Sequence, residues 1–189
     1  MKPIVHRRPL LEAIADYGQR YPEEHACVRR FAAFVQTHSN CFSRTLLPGH
    51  VTGSAWVVDA EGQMTLLTHH RKLDIWVQLG GHSDDDPDSS AVALREAREE
   101  SGLDELALAG GRIFDLDIHS IPARGSEPAH EHFDVRYVVL AAVNTRFRVS
   151  AESKALAWVS VDDLDSLTRE ASMLRMRDKW LRRDEGTAA

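Results

Sequence analysis

Gly80-Gly81-His82-Ser83-Asp84-Asp85-Asp86-Pro87-Asp88-Ser89-Ser90-Ala91-Val92-Ala93-Leu94-Arg95-Glu96-Ala97-Arg98-Glu99-Glu100-Ser101-Gly102-Leu103 is the stretch that decides the fold. Asp86 before Pro87 reads as a helix N-cap followed by proline at the first helical position, where a missing N–H costs nothing. Gly102 stands where a helix would stop. On the helix so bounded, from about Pro87 to Gly102, Glu96, Glu99 and Glu100 fall at i, i+3 and i+4 and share one face. Like charges so placed repel by roughly a few tenths of a kcal/mol per pair. A cation removes that repulsion, and hard oxygen donors at this density suit Mg²⁺ or Mn²⁺ shared with substrate phosphates. Arg95, one turn before Glu99, is placed to orient it by a charge-assisted hydrogen bond. An acidic helix face alone is more often solvated surface. The Gly-Gly loop before this one and the glycine after it favour the metal reading.

Outward from this helix, the chain alternates between strand and helix patterns. Upstream, Val51–Asp59 and Met64–His70 read as strands joined by a turn at Glu61-Gly62, and Val77–Gly81 runs into the Gly-Gly loop. Downstream, strands are expected at 112–121, 132–143 and 155–159, the second being central because it is apolar on both faces. Helices are expected at 161–168 and 170–183. The last of these reads as an amphipathic surface helix, with Met173, Met176 and Trp180 inward and its basic residues outward. Residues 9–38 read as two helices, from Leu10, Ile14 and Tyr17 and from Cys27, Phe31 and Phe34. The fold class implied is α/β, a sandwich with a mixed sheet, divided into a helical N-terminal extension (1–45) and a main domain (46–189).

Composition narrows the function classes. The 189 residues are 43% apolar and 28% charged, which excludes disordered and collagen-like classes. The net charge of −6, concentrated in acid between Asp84 and Glu105, argues against nucleic acid as a partner. No apolar run approaches the roughly 20 residues that span a bilayer, and the N-terminus lacks a signal-peptide pattern, so no membrane partner and a cytoplasmic location are expected. Cys27 and Cys41 are expected as two reduced thiols.

The quoted segment resembles a Nudix box, G-x5-E-x7-R-E-U-x-E-E-x-G-U with U a bulky aliphatic residue. Gly81, Arg95, Glu96, Glu99, Glu100, Gly102 and Leu103 fall on the pattern at its spacing. Similarity extends over about residues 50–168, through Leu156-Ala157-Trp158-Val159 and Asp162-Asp163-Leu164. Two positions depart from the pattern: Pro87 stands at the first glutamate, and Ala97 replaces the bulky aliphatic residue. The resemblance implies a Nudix α/β/α sandwich and metal-dependent hydrolysis of a diphosphate linkage in a nucleoside diphosphate joined to another moiety, by metal-activated water. It implies metal ligation by Glu96, Glu99 and Glu100, with Gly80 in the metal set. Glu99, Glu100 and Arg95 are the expected catalytic residues. Glu152 is the expected general base, with Glu131 as another candidate.

The histidines form a second pattern. His130-x-His132-x-Asp134 alternates at a strand's start, so the three side chains share a face. Such a face is ordinarily polar cleft lining, but imidazoles converging from several strands suit Zn²⁺, Mn²⁺ or Fe²⁺ better than Mg²⁺. His50-Val51-Thr52-Gly53-Ser54-Ala55-Trp56 and Gly81-His82 are similar to segments of isopentenyl-diphosphate isomerase, a Nudix-fold enzyme with a histidine and glutamate metal site. That resemblance implies a transition-metal site from His50, His82, His130 and His132. The isomerase's acid/base cysteine position is Gly80 here, which disfavours isomerase activity. The rival to an enzyme is a non-catalytic nucleotide-binding sensor module. A small-molecule diphosphate is the expected partner, and homodimerisation is open.

Overall fold

The computed structural model describes residues 6–71, 73–125, 128–142, 147–148 and 153–183. Two helices come first, α1 (Arg8–Arg20) and α2 (His25–Thr37), with a 3-10 turn at Pro22–Glu24 between them. Strands β1 (Gly49–Val58), β2 (Met64–His70), β3 (Trp76–Val77) and β4 (Leu79–His82) follow, then helix α3 (Ser89–Ser101). Strands β5 (Leu106–Leu108), β6 (Asp115–Ile121), β7 (His130–Ala141) and β8 (Ser153–Ser160) lead to the closing helix α4 (Ala171–Arg182).

The sheet is mixed. β1 lies parallel to β7 along its whole length, and pairs antiparallel with β4 through Thr52–Ala55 and with β2 through Val57–Val58. β7 also pairs antiparallel with β5 and β6, while β2 carries β3 and β8. β7 is therefore central, as expected, although one of its faces is lined over its first half by His130, His132, Asp134 and Arg136 rather than by apolar side chains. Phe133, Val135 and Tyr137 pack with Leu10, Ile14, Phe31 and Phe34 of α1 and α2. Val138 points the other way, with Trp56, Met173, Met176 and Trp180. α3 lies on the face of α1 and α2, packing Val92, Ala93 and Ala97 against the sheet, and α4 covers the opposite face. The result is the expected α/β/α sandwich. α1 and α2 complete its core rather than standing apart from it.

Several expected boundaries are corrected. The cap of α3 is Asp88, whose carboxylate accepts from Ser90 N and Ala91 N. Asp86 instead accepts from Asp88 N at 2.9 Å, folding Pro87 into the turn before the helix. The strand expected from residue 112 begins at Asp115, the one expected from 132 begins at His130, and β5 was not anticipated. The helix expected over 161–168 is one 3-10 turn at Leu164–Ser166, since Asp and Ser there favour local turns over helix. In α4, Lys179 is buried rather than facing outward. Cys27 and Cys41 are both free thiols. Among the described residues, no helix is long and apolar enough to cross a membrane.

Candidate functional site

Two glycine-dependent close approaches seat α3. A side chain at Gly53 on β1 would lie 2.8 Å from Ser89 O and 2.8 Å from Val92 Cγ1, so its absence lets the helix backbone rest on the strand. At Gly81 on β4, the space a Cβ would need is filled by the Glu96 carboxylate. Glu100, buried one helical turn further on, accepts from Gly80 N at 3.4 Å. Glu96 and Glu100 thus converge on the backbone of Gly80 and Gly81. Glu99 reaches outward instead, its side chain 60% exposed.

Arg95 ties this group together. Its guanidinium donates to His82 O at 2.9 Å, lies 2.8 Å from Glu96 Oε1 and stands 3.6 Å from Glu99 Oε2. The expected partner, Glu99, is the more distant of the two carboxylates. The loop ahead of the helix is held without the missing box glutamate: Asp84 takes two hydrogen bonds from Arg44, at 2.6 and 2.7 Å. Asp84 and Asp85 adopt positive φ of 49° and 71°, a conformation Asp tolerates better than most residues. Of the three glutamates expected to share a metal, the structure brings Glu96 and Glu100 together beside the glycine backbone and leaves Glu99 on the outer side; the two inner carboxylates are hard oxygen donors of the kind a divalent cation takes. Of the base candidates, Glu152 lies outside the described residues, and Glu131 faces α2, paired with Arg30.

On the opposite face of the sheet the histidines form a row from four strands. His50 of β1 and His119 of β6 both lie opposite His132 of β7, while His82 of β4 lies opposite Thr52 of β1. Ring centroids are 4.8 Å apart for His50 and His132, 5.0 Å for His50 and His130, 5.0 Å for His50 and His82, and 5.3 Å for His119 and His132. One nitrogen from each of His50, His130 and His132 falls within 4.8 Å of the others. All four expected histidines therefore meet, and His119 joins them. The signal that would have found it was the alternation Asp115-x-Asp117-x-His119, whose meaning depends on strand register.

His50 is buried with neither ring nitrogen hydrogen-bonded. An unmet buried polar group costs about 1–3 kcal/mol, so this imidazole is held at a price elsewhere in the fold. Burial, reinforced by the neighbouring His82 and His130, pushes its pKa down to about 4. Burial and the surrounding histidines push His132 down to about 2. Both rings are therefore neutral at pH 7, the form that offers a nitrogen lone pair.

A buried charge network supports the row on the same face. Asp134 accepts from Thr52 at 2.8 Å, Ser54 at 2.7 Å and Gln78 at 3.1 Å. Arg136 binds Asp134, Asp115 and Asp117 at 2.7, 3.1 and 3.2 Å. From α4, Arg175 reaches Asp115 at 2.7 Å and Lys179 reaches it at 2.6 Å. Lys179 also donates to Tyr17 of α1, joining helices from both ends of the chain through one carboxylate.

The family model described as NUDIX domain matches residues 48–180. Among solved structures, a C. elegans Ap4A hydrolase binary complex is similar at TM-score 0.58 and 17% identity, over 72% of this chain and 98% of that one. A Nudix hydrolase from M. smegmatis, RenU, is similar at TM-score 0.53 and 19% identity, over 75% and 89% of the two chains. A MutT protein from Methanosarcina mazei Go1 gives TM-score 0.52 and 19% identity, over 76% and 99%. At these identities the likeness speaks to the fold alone. No match is found among curated proteins.

Proposed function

The chain belongs to the Nudix family, and from that premise we propose that it is a divalent-metal-dependent hydrolase of a diphosphate linkage in a nucleoside diphosphate-X small molecule. The observation that carries this reading is the convergence of Glu96 and Glu100 on Gly80 and Gly81, with Arg95 beside them. Glu96, Glu99 and Glu100, with the Gly80 backbone, would hold Mg²⁺ or Mn²⁺. When bound, such an ion neutralises diphosphate charge and makes water a better nucleophile.

The chain's own groups supply position. Arg95 restrains Glu96 and Glu99, and its bond to His82 O fixes β4 against α3. Water adds its oxygen to one phosphorus while the bridging P–O bond breaks. Two phosphate-bearing products leave, and one proton passes to a base, for which Glu152 is our candidate.

The test is a screen of purified protein against ADP-ribose, NADH, nucleoside triphosphates, diphosphate sugars and dinucleoside polyphosphates, with Mg²⁺ or Mn²⁺. Turnover of at least one compound is expected, abolished by chelator and reduced at least a hundredfold in Glu100→Gln. Saturable binding without turnover, or turnover undiminished in both Glu99→Gln and Glu100→Gln, would overturn the reading.

A further inference from the structure

We propose that Arg7 anchors an anion-binding site, built where the N-terminal segments meet the loop that enters α3, and that its ligand is a small carboxylate with an apolar body. The site shares no residue with the α3 glutamates or the histidine row, so it stands or falls apart from the hydrolase reading.

Arg7 is only 7% exposed. Its Nη1 donates to Val35 O at 2.6 Å and to Gln36 O at 2.8 Å. These are among the last carbonyls of α2, which a helix leaves without internal partners. That is a capping role, and it engages one nitrogen of the guanidinium. Nε is enclosed and has no hydrogen-bond partner, and among the described residues Nη2 has none either. Nε–H and Nη2–H lie side by side, the edge that binds a carboxylate through two parallel hydrogen bonds. Arg44 turns this same edge on Asp84, at 2.6 and 2.7 Å. Arg7 forms no ion pair among the described residues. A guanidinium cannot shed its charge, and a buried charge is costly until it is paired. The other deeply buried arginine among the described residues, Arg136, is met by three aspartates.

The second observation is a cavity. Arg7 lines a hollow of about 340 Å³, together with Ser39, Asn40, Phe42, Asp85 and Pro87. That volume is within the range of small-molecule sites. Phe42 and Pro87 give the hollow an apolar wall, and Ser39 and Asn40 set a hydroxyl and an amide near the cation. The chemistry matched is one oxyanion on an apolar body. Asp85 brings a negative charge to the same lining, which disfavours a multiply charged phosphate and selects a monocarboxylate. Its backbone N donates to Phe42 O at 3.0 Å, so the loop entering α3 forms one wall. Arg7, Ser39, Asn40 and Phe42 precede the stretch matched by the family model, 48–180. The site is therefore a property of this chain's N-terminal segments rather than of the shared fold.

The test titrates the full-length protein with benzoate, acetate and inorganic phosphate by isothermal calorimetry, in chelator so that no metal on α3 can bridge an anion. One benzoate per chain is expected, bound more tightly than acetate or phosphate. Arg7→Met should weaken it by about tenfold or more, as loss of a charge-assisted pair does, with circular dichroism confirming that the variant folds. Asp85→Asn should strengthen benzoate binding severalfold, because asparagine tolerates the positive φ of 71° and removes the facing charge. That variant leaves Arg7 untouched, and it decides the matter should Arg7→Met fail to fold. No saturable binding of any of the three anions, or unaltered affinity in folded Arg7→Met, would reduce Arg7 to the cap of α2 and overturn the proposal. Phosphate bound more tightly than benzoate, or benzoate affinity unchanged in Asp85→Asn, would overturn it as well.

Discussion

Arg136 donates from Nε to Asp134 at 2.7 Å, two residues away on the same face of β7, with both side chains only 2% exposed. Asp115 and Asp117 close the ring around the same guanidinium. A charge cluster so deep survives only because nearly every donor and acceptor in it is engaged.

Removing the central cation should therefore be costly. Arg136→Met leaves buried carboxylates without their shared partner, and a loss of about 3–5 kcal/mol is expected. Arg175→Met, at a side chain 31% exposed, should cost distinctly less. Urea unfolding of the two variants checks the order. Equal losses would mean that the network is not centred on Arg136.

The same network sets the acid limit. Burial alone would raise the Asp115 carboxyl, but Arg175, Arg136 and Lys179 outweigh it and hold the group below the usual carboxylate range. Asp117 is also held low: His119, Arg136 and Arg175 overcome its burial. A carboxyl whose pKa is lower folded than unfolded contributes stability that is complete above the unfolded value, about 3.9. That stability is lost as pH falls through the folded value. Urea midpoints should therefore drop as pH is lowered from about 5 toward 2, and less steeply in Asp117→Asn. An unchanged slope in that variant would contradict the assignment.

Gly81→Ala places a methyl group where the Glu96 carboxylate sits. Hydrolysis should fall by at least tenfold with only modest loss of stability, because a flexible side chain tip is displaced. Gly53→Ala instead meets the α3 backbone at Ser89 O and Ala93 N, 2.8 and 3.0 Å away. That overpacking should cost about 1–3 kcal/mol. Thermal unfolding and turnover, measured together, distinguish the two.

Arg95→Ala removes the link between Glu96, Glu99 and His82 O. Metal affinity or turnover should fall about 10- to 100-fold, as for other supports of ligating groups. Arg95→Lys should recover only part of this, since an ammonium cannot spread the same fork across three acceptors. Full rescue by lysine would reduce Arg95 to a point charge.

The acidic helix was legible because its information is local. Spacing put Glu96 and Glu100 on one face, and Gly102, at φ 65°, does end the helix. Asp86 and Asp88 flank Pro87 and are equivalent cap candidates in sequence, and only the hydrogen bonds from Ser90 N and Ala91 N single out Asp88. β5 escaped notice because three residues carry too little periodicity to register. His119 and Lys179 were missed for another reason. A polar residue in a strand or helix ordinarily faces solvent, and nothing in the local pattern turns it inward.

By itself, the sequence determined the helix of three glutamates, the central place of β7 and the family to which the chain is matched, since each is written in spacing or alternation along one segment. Only the tertiary structure decided which carboxylate Arg95 grips most closely, that Arg136 is buried among three aspartates, and that five imidazoles from four strands form one row. Those facts depend on strand register. Pairing His50 with His132 and His119 with the same residue is settled by the packing of the whole sheet, where a shift of one residue would turn every one of these side chains to the other face.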